Sequence, residues 1–287
     1  MGINIRTNVE SLRAQRDLNA TSDRLRTAYA RLSSGLRITR AADDAAGLAI
    51  AEQLKADQRV ASVAIRNAND GISIIAITDG AMNEITSSLV RLAELAEQSA
   101  NGVYDTSQRS ALQLEFVAVS SEIQRIADTT QFNGLQLLTQ GGSVTFQVGF
   151  DGFSNSQITY SGVQATLAAI GLRADNGTSG LTFSINDTTN LGAQEAARSA
   201  LNAIQAAVGS LTRARGTLGS AESRLNIAIQ NLQVARENFA AAESRIRDVD
   251  VAFEAAELTR LNILQQAATA VLAQANQQPS LALSLLQ

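Results

Sequence analysis

The side chains dense enough in this sequence to do chemistry are carboxylates. Asp43 and Asp44 stand side by side, and Asp248, Asp250, Glu254 and Glu257 form a second group. Neighbouring acids can divide acid and base roles when a concave site pushes their protonation apart. Their positions argue against that. Asp43 and Asp44 follow a turn at Gly35 and precede a helical pattern, where carboxylates complement the N-terminal dipole. Asp248 and Asp250 are two residues apart, cannot share a helix face, and read as capping or solvated charge. The basic residues are 22 Arg and the single Lys55, scattered among 27 acids, which is the pattern of a solvated or ion-paired surface rather than of a phosphate site.

The missing residue types narrow the field further. The chain has no His and no Cys, so it has no imidazole base, no Ser-His-Asp triad, no thiolate nucleophile, no disulfide and no sulfur-ligated zinc. Catalytic residues, metal ligands and cofactors are therefore not expected. A net charge of −4 gives no electrostatic case for nucleic acid. No apolar run approaches the ~18 residues of a membrane span. The opening MGINIRTNVESL lacks a continuous apolar stretch, so a cleaved secretory signal is not expected either.

The elements that hold these residues are long helices. One Pro, at 279, leaves the rest of the chain without that helix breaker. From about 46 to 98, Ala51, Leu54, Gln58, Ala61, Ile65, Ala68, Ile72, Ile75, Asp79 and Met82 recur at alternating steps of three and four, and Ile85, Leu89, Leu92 and Leu95 continue the seam. Asn101-Gly102 ends it, Asp105 can cap a second helix to about 129, and Asn133-Gly134 closes that helix. A third seam runs from about 193, through Leu201, Ile204, Leu211, Leu218, Leu225 and Leu232, with Arg215, Glu222, Arg236 and Glu243 at its edge. The last helix begins at Val251 and is expected to stop at Pro279.

Residues 141–192 differ in kind, holding nine of the 19 Gly. VTFQV (144–148) and SQITYSGV (156–163) predict a β-hairpin, LTFSI (181–185) a further short strand, and ADNGTSG (174–180) a turn. The sparse charge of about 130–173 fits equally a hairpin core and burial between neighbouring molecules. At the N-terminus Leu18, Leu25 and Leu32 lie seven apart. Isolated helices are marginal in water, so the two ends of the chain are the natural partners for each other.

Several segments resemble bacterial flagellins: INIRTNVESLRAQRDL at the start, ARLSSGLRITRAADDAAGLAIA (30–51), RNANDGISI (66–74), LAEQSANG (95–102), EIQRIADTTQFNG (122–134), TFQVG (145–149), and SRLNIAIQNL, ENFAAAESRIRDVD and LTRLNILQQAATAVLAQANQQPSLALSLL at the end. The likeness covers about 1–170 and 193–287, in the family's order, with only some 20 residues between, where many flagellins carry outer domains. The chain is similar to a short flagellin lacking the outer variable domains. A hook–filament junction protein shares these termini, but there Pro often follows the Asp pair, where this chain has Ala45.

The resemblance implies a mainly α fold, an elongated rod of long coiled-coil helices with paired terminal helices and a small mid-chain β-hairpin. It implies an inner terminal domain of 1–44 plus 245–287 and a rod domain of 45–244 with its hairpin at about 141–190. The implied function is a secreted, non-enzymatic filament subunit of the bacterial flagellum, serving motility. Its partners would be further copies of itself, a secretion chaperone, the type III export apparatus, and the cap and hook-junction proteins, with neither nucleic acid nor membrane among them. Pairing and polymerisation would fall to Leu18, Leu25, Leu32, Leu258, Leu261, Leu264 and Val271. Arg91, Leu95, Gln98 and Glu115 match positions that contact an animal innate immune receptor, while Val90, Ala93 and Glu97 depart from the commonest pattern. Arg31, Leu32, Ser33, Gly35, Arg37, Ile38, Asp43, Asp44, Ala45, Gly47 and Leu48 match the epitope of a plant receptor.

Overall fold

Helices form where the three-four apolar spacing runs unbroken, and they end where a side chain or a left-handed residue satisfies the last backbone groups. The computed structural model describes residues 7–173 and 181–284, with side chains up to Gln277. Five helices carry the chain: α1 (Val9–Ser34), α2 (Ala45–Ala100), α3 (Thr106–Thr129), α4 (Asn190–Arg247) and α5 (Val251–Ser284). Four short strands lie between α3 and α4: β1 (Gln131–Phe132), β2 (Leu135–Gln136), β3 (Val144–Gln147) and β4 (Gln157–Tyr160). The chain divides into two units, residues 1–58 with 237–287, and residues 59–236.

In the second unit the heptad seam of α2 is the spine of the core. Ile75, Met82, Ile85, Leu89, Leu92 and Leu95 are buried, and they cluster with Phe116 and Ile123 of α3 and with Ile204, Leu211, Leu218 and Leu225 of α4. On α4 the buried small residues beside the seam are Ala200, Ala207 and Ala221, the first and last of them one residue before Leu201 and Glu222 of the expected seam. Arg215 lies at the edge of this core and forks onto Asp79, Nε to Oδ1 at 2.7 Å and Nη2 to Oδ2 at 3.1 Å.

The hairpin appears where the alternation predicts it. β3 and β4 are antiparallel, with Val144 opposite Tyr160 and Phe146 opposite Ile158. Phe146, Ile158 and Tyr160 turn inward to the same core, which accounts for the low charge of this stretch.

Three local expectations are corrected. Asn133-Gly134 does not close the second helix; α3 ends at Thr129, and the pair, with φ of 49° and 80°, makes the two-residue turn between β1 and β2. LTFSI is not a strand, apart from an isolated bridge between Arg173 and Leu181. Its backbone bonds elsewhere: Gln113 Oε1 accepts the Ile185 N–H at 2.8 Å and the Ile185 carbonyl accepts from Ser99. Pro279 does not stop the last helix, because α5 continues to Ser284. A proline ring fixes φ near the helical value and removes one N–H, so a helix with strong flanking propensity can pass through it. The predicted turn at 174–180 lies outside the described residues.

Candidate assembly surface

The first unit is built on an antiparallel pair, α1 against α5. On α1 a seam turned from solvent runs through Ser11, Ala14, Leu18, Thr21, Leu25, Ala28 and Leu32 at alternating steps of three and four, flanked by the half-buried Ser22, Ala30 and Arg31. On α5 the seam runs through Glu254, Leu258, Leu261, Gln265, Ala268, Leu272 and Ala275 with the same alternation, flanked by the half-buried Glu257 and Asn262. Leu18, Leu25, Leu32 and Leu258 are half-buried and Leu261 is buried. Leu264 and Val271 point away from this seam and are exposed.

The outer faces of the two helices differ. α1 carries Glu10, Arg13, Arg16, Asp17, Asp23, Arg24 and Arg26 outside, as a helix facing water does. α5 has only Glu254, Glu257 and Arg260 as ionisable groups, and Val251, Phe253, Ile263, Leu264 and Val271 are all exposed. Phe253 is 69%, Ile263 62% and Val271 58% exposed. Each of these holds back about 1 kcal/mol or more of burial free energy that only another surface can realise. A helix apolar around its whole circumference belongs in an interior.

One end of the pair is a joint between two connections. Gly35 takes a left-handed φ of 71°, and its N–H returns to Arg31 O at 2.8 Å. The chain then bridges residues 247–249: Arg37 N–H donates to Arg247 O at 2.6 Å, Val249 N–H donates to Gly35 O at 3.0 Å, and Leu36 pairs antiparallel with Asp248. The Arg37 guanidinium donates to Ile246 O at 2.6 Å, while Arg247 meets Glu52 at 2.8 Å. Ile38 is buried beneath.

The two candidate acid clusters do structural work here. Asp43 Oδ2 accepts from the N–H groups of Thr39 and Arg40 and from the Thr39 hydroxyl, each at 3.0 Å. The Arg40 amide, followed by Thr39, holds this carboxyl below its ordinary range. Asp44 Oδ1 caps α2 by accepting from Gly47 N–H at 2.8 Å. A Cβ on Gly47 would lie 2.4 Å from Asp44 Oδ2 and 2.9 Å from Ile38 Cδ1, so a side chain there would displace the capping carboxylate and the end of Ile38. Asp250 caps α5 through the N–H groups of Ala252 and Phe253, and Asp248 accepts from the Ser244 hydroxyl. Glu257 pairs with Arg260, which holds its carboxyl low.

The candidate receptor residues fall into distinct environments. In the second unit Arg91 donates twice to Glu115 Oε1, at 2.9 and 2.6 Å, joining α2 to α3 on the surface. Gln98 donates to the Tyr104 hydroxyl at 3.0 Å and is exposed. Leu95 is 1% exposed and lies inside the core. Along 31–48, Arg31, Leu32, Gly47 and Leu48 are half-buried and Ile38 is buried, while Ser33, Gly35, Arg37, Asp43, Asp44 and Ala45 are exposed.

Three residues important to the second unit or to the surface escaped the sequence reading. Arg109 is fully buried, and its guanidinium bonds to carbonyl and amide oxygens. Its guanidinium donates to Ser99 O at 3.0 Å, Asn101 O at 3.0 Å, and Asn190 O and Oδ1 at 3.2 and 3.0 Å. It thus ties the end of α2 to the start of α4, and the C-terminal dipole of α2 favours its charge. The signal was there: Arg109, Phe116 and Ile123 lie seven apart on one face of α3. Phe253 and Ile263 were also missed, because they fall outside the heptad positions.

Among the described residues no helix is long and apolar enough to cross a membrane, and no group of three or more acidic residues could hold a metal ion.

Known proteins share this architecture of sequence. The bacterial flagellin N-terminal helical region family matches residues 5–142, and the bacterial flagellin C-terminal helical region family matches residues 201–286. A flagellin from Halalkalibacterium halodurans is 42% identical over 284 residues, 99% of each chain. Flagellin A of Vibrio cholerae is 52% identical over 150 residues, 52% of this chain and 40% of that one. The crystal structure of Bacillus cereus flagellin aligns at 26% identity and a TM-score of 0.48, covering 58% of this chain and 88% of that chain. With both terminal regions matched and near full-length identity to a relative of the same size, the chain belongs to the bacterial flagellin family.

Proposed function

We propose that the α1–α5 pair is the polymerisation element of this subunit and that the apolar outer face of α5 is covered by neighbouring copies. The chain is a structural subunit of the bacterial flagellar filament, an extracellular assembly, and not an enzyme. The observation that carries the assembly reading is the exposure of Phe253, Ile263 and Val271 on a helix whose other face is already packed. Contacts repeated head to tail without closing generate an open filament. Leu18, Leu25, Leu32, Leu258 and Leu261 then hold the pair together, while Leu264 and Val271 meet neighbours. Residues 1–44 and 245–287 would form the inner terminal domain and 45–244 the rod domain.

Before assembly, the same apolar helix calls for cover, and a secretion chaperone is the partner that fits. Passage unfolded through the flagellar export apparatus, without cleavage of a signal, suits a chain that has no Cys to mispair. Cap and hook-junction proteins would meet the ends of the polymer. For an animal innate immune receptor, the exposed Arg91, Gln98 and Glu115 offer the contacts, and Leu95 supports them from below. For a plant receptor, the stretch 31–48 has Ile38 buried, so recognition would require this segment to be released from the fold.

Deleting about 35 residues from either end tests the assembly reading. The expected product is a helical protein that stays monomeric at concentrations where the full chain forms filaments, by electron microscopy and sedimentation. Filaments from either truncation would overturn it.

A further inference from the structure

Where α5 passes through Pro279, one helical hydrogen bond is missing. Residue 279 would ordinarily donate its N–H to the carbonyl four residues earlier, that of Ala275, and proline has no N–H to give. Ala275 is itself a buried position, so a bare carbonyl there is costly. The carbonyl is not bare. Asn8 Nδ2, from the other end of the chain, donates to Ala275 O at 2.8 Å.

Asn8 is already in use. It precedes α1 as its N-cap, and its Oδ1 accepts from Ser11 N–H at 3.0 Å. A single amide thus satisfies an orphan donor at the start of one helix and an orphan acceptor near the end of the other. Ser11 adds a second link, its hydroxyl donating to Asn276 Oδ1 at 2.7 Å. Side-chain chemistry makes the choice specific. Asp and Ser also cap helices well, but only an amide carries a separate acceptor and donor at this reach.

We propose that Asn8 and Pro279 form a clip that positions the far end of the α1–α5 pair for assembly. Pro279 withdraws the donor that would make Ala275 O indifferent to α1, and Asn8 replaces it. The joint at Gly35 and Val249 fixes the pair at one end, and this clip closes the other. Toward that end the positions turned from solvent include the small Ser11, Ala14, Ala268 and Ala275, with Leu18 and Leu272 as the bulkier apolar side chains there. The proposal rests on the reading of the pair as the polymerisation element.

The test is a double-mutant cycle in the full chain, reading the critical concentration for polymerisation and amide hydrogen exchange at residues 9–14 in the filament. Asn8→Ser keeps a capping oxygen and removes the second donor, so the critical concentration should rise about five-fold and exchange in the first turn of α1 should quicken. Pro279→Ala returns a helical N–H to Ala275 O. In that background Asn8→Ser should change the critical concentration by less than about two-fold. The proposal is overturned if Asn8→Ser matches the parent in both readouts, or if its penalty is the same with and without Pro279→Ala. Failure of the underlying assembly reading looks different: the truncated chains would polymerise whatever Asn8 does.

Discussion

In residues 59–236, Ile75, Met82, Ile85, Leu89 and Leu92 are sealed inside, and even a cation, Arg109, is buried with its guanidinium bonded to protein oxygens. In the unit of 1–58 and 237–287 the same residue types are placed otherwise. Its seam is lined with Ala, Ser, Thr and mostly half-buried Leu, while Phe253, Ile263 and Val271 stand outside. The first kind of unit closes its core within one chain. On the assembly reading proposed above, the second, with its exposed apolar face, gains its stability when copies meet. Folding and assembly are, on that reading, assigned to different parts of one subunit, with the apolar α5 face rather than the charged α1 face proposed as the covered side.

The largest expected effect comes from breaking the open unit at its exposed face. Ile263→Asp with Val271→Asp should abolish filaments, because each charge would have to be buried in the assembled interface. Circular dichroism of the monomer should change little, since both positions are already exposed. Filaments formed by this variant would remove the distinction between the two faces of α5.

The closed unit should break at Arg109. Arg109→Ala leaves the carbonyls of Ser99, Asn101 and Asn190 without their donor and should cost about 3 kcal/mol of stability in denaturant unfolding. Arg109→Lys keeps the charge but loses the fork, and should recover only part of that. A loss under about 0.5 kcal/mol, the level of an ordinary surface substitution, would mean that the buried guanidinium is not structural.

The smallest effect should come from acid. Asp43 is held low by the Arg40 amide and by Thr39, and Glu257 by Arg260. A carboxylate with a depressed folded pKa stabilises fully above its unfolded value, near ~4, and loses that contribution as pH falls through the folded value. Below about pH 4 the joint at 35–44 should therefore loosen, and Asp43→Asn should flatten that response. Glu122, also held low, pairs with Arg125 within one helix, so its protonation should leave the packing of residues 59–236 in place. Hydrogen exchange in the two units as a function of pH separates these outcomes.

Much of this was legible in the residues. The seams of α2 and α4, the hairpin at 144–160, the cap at Asp105 and the pairing of the chain ends all follow from spacing, because periodicity is set by which side chains must leave water. The Asp43-Asp44 pair was read as helix-start chemistry, and both carboxylates do accept backbone N–H groups there. What spacing could not give was partner choice. LTFSI has strand composition, but Gln113 and Ser99 take its backbone groups, and composition does not record a competing side chain distant in sequence. Pro279 read as a stop because the residue that compensates it, Asn8, lies 267 positions from the Ala275 carbonyl that it serves. Arg109 read as surface charge because nothing local marks a cation for burial.

The central claim is that residues 59–236 are stable alone and the terminal pair is stable only in the polymer. Amide hydrogen exchange of the full chain, measured on monomer and filament under the same conditions, tests it most directly. The account predicts strong protection of the α2, α3 and α4 core in both states, with α1 and α5 protected in the filament and exchanging quickly in the monomer. Equal protection of α1 and α5 in the two states would contradict it.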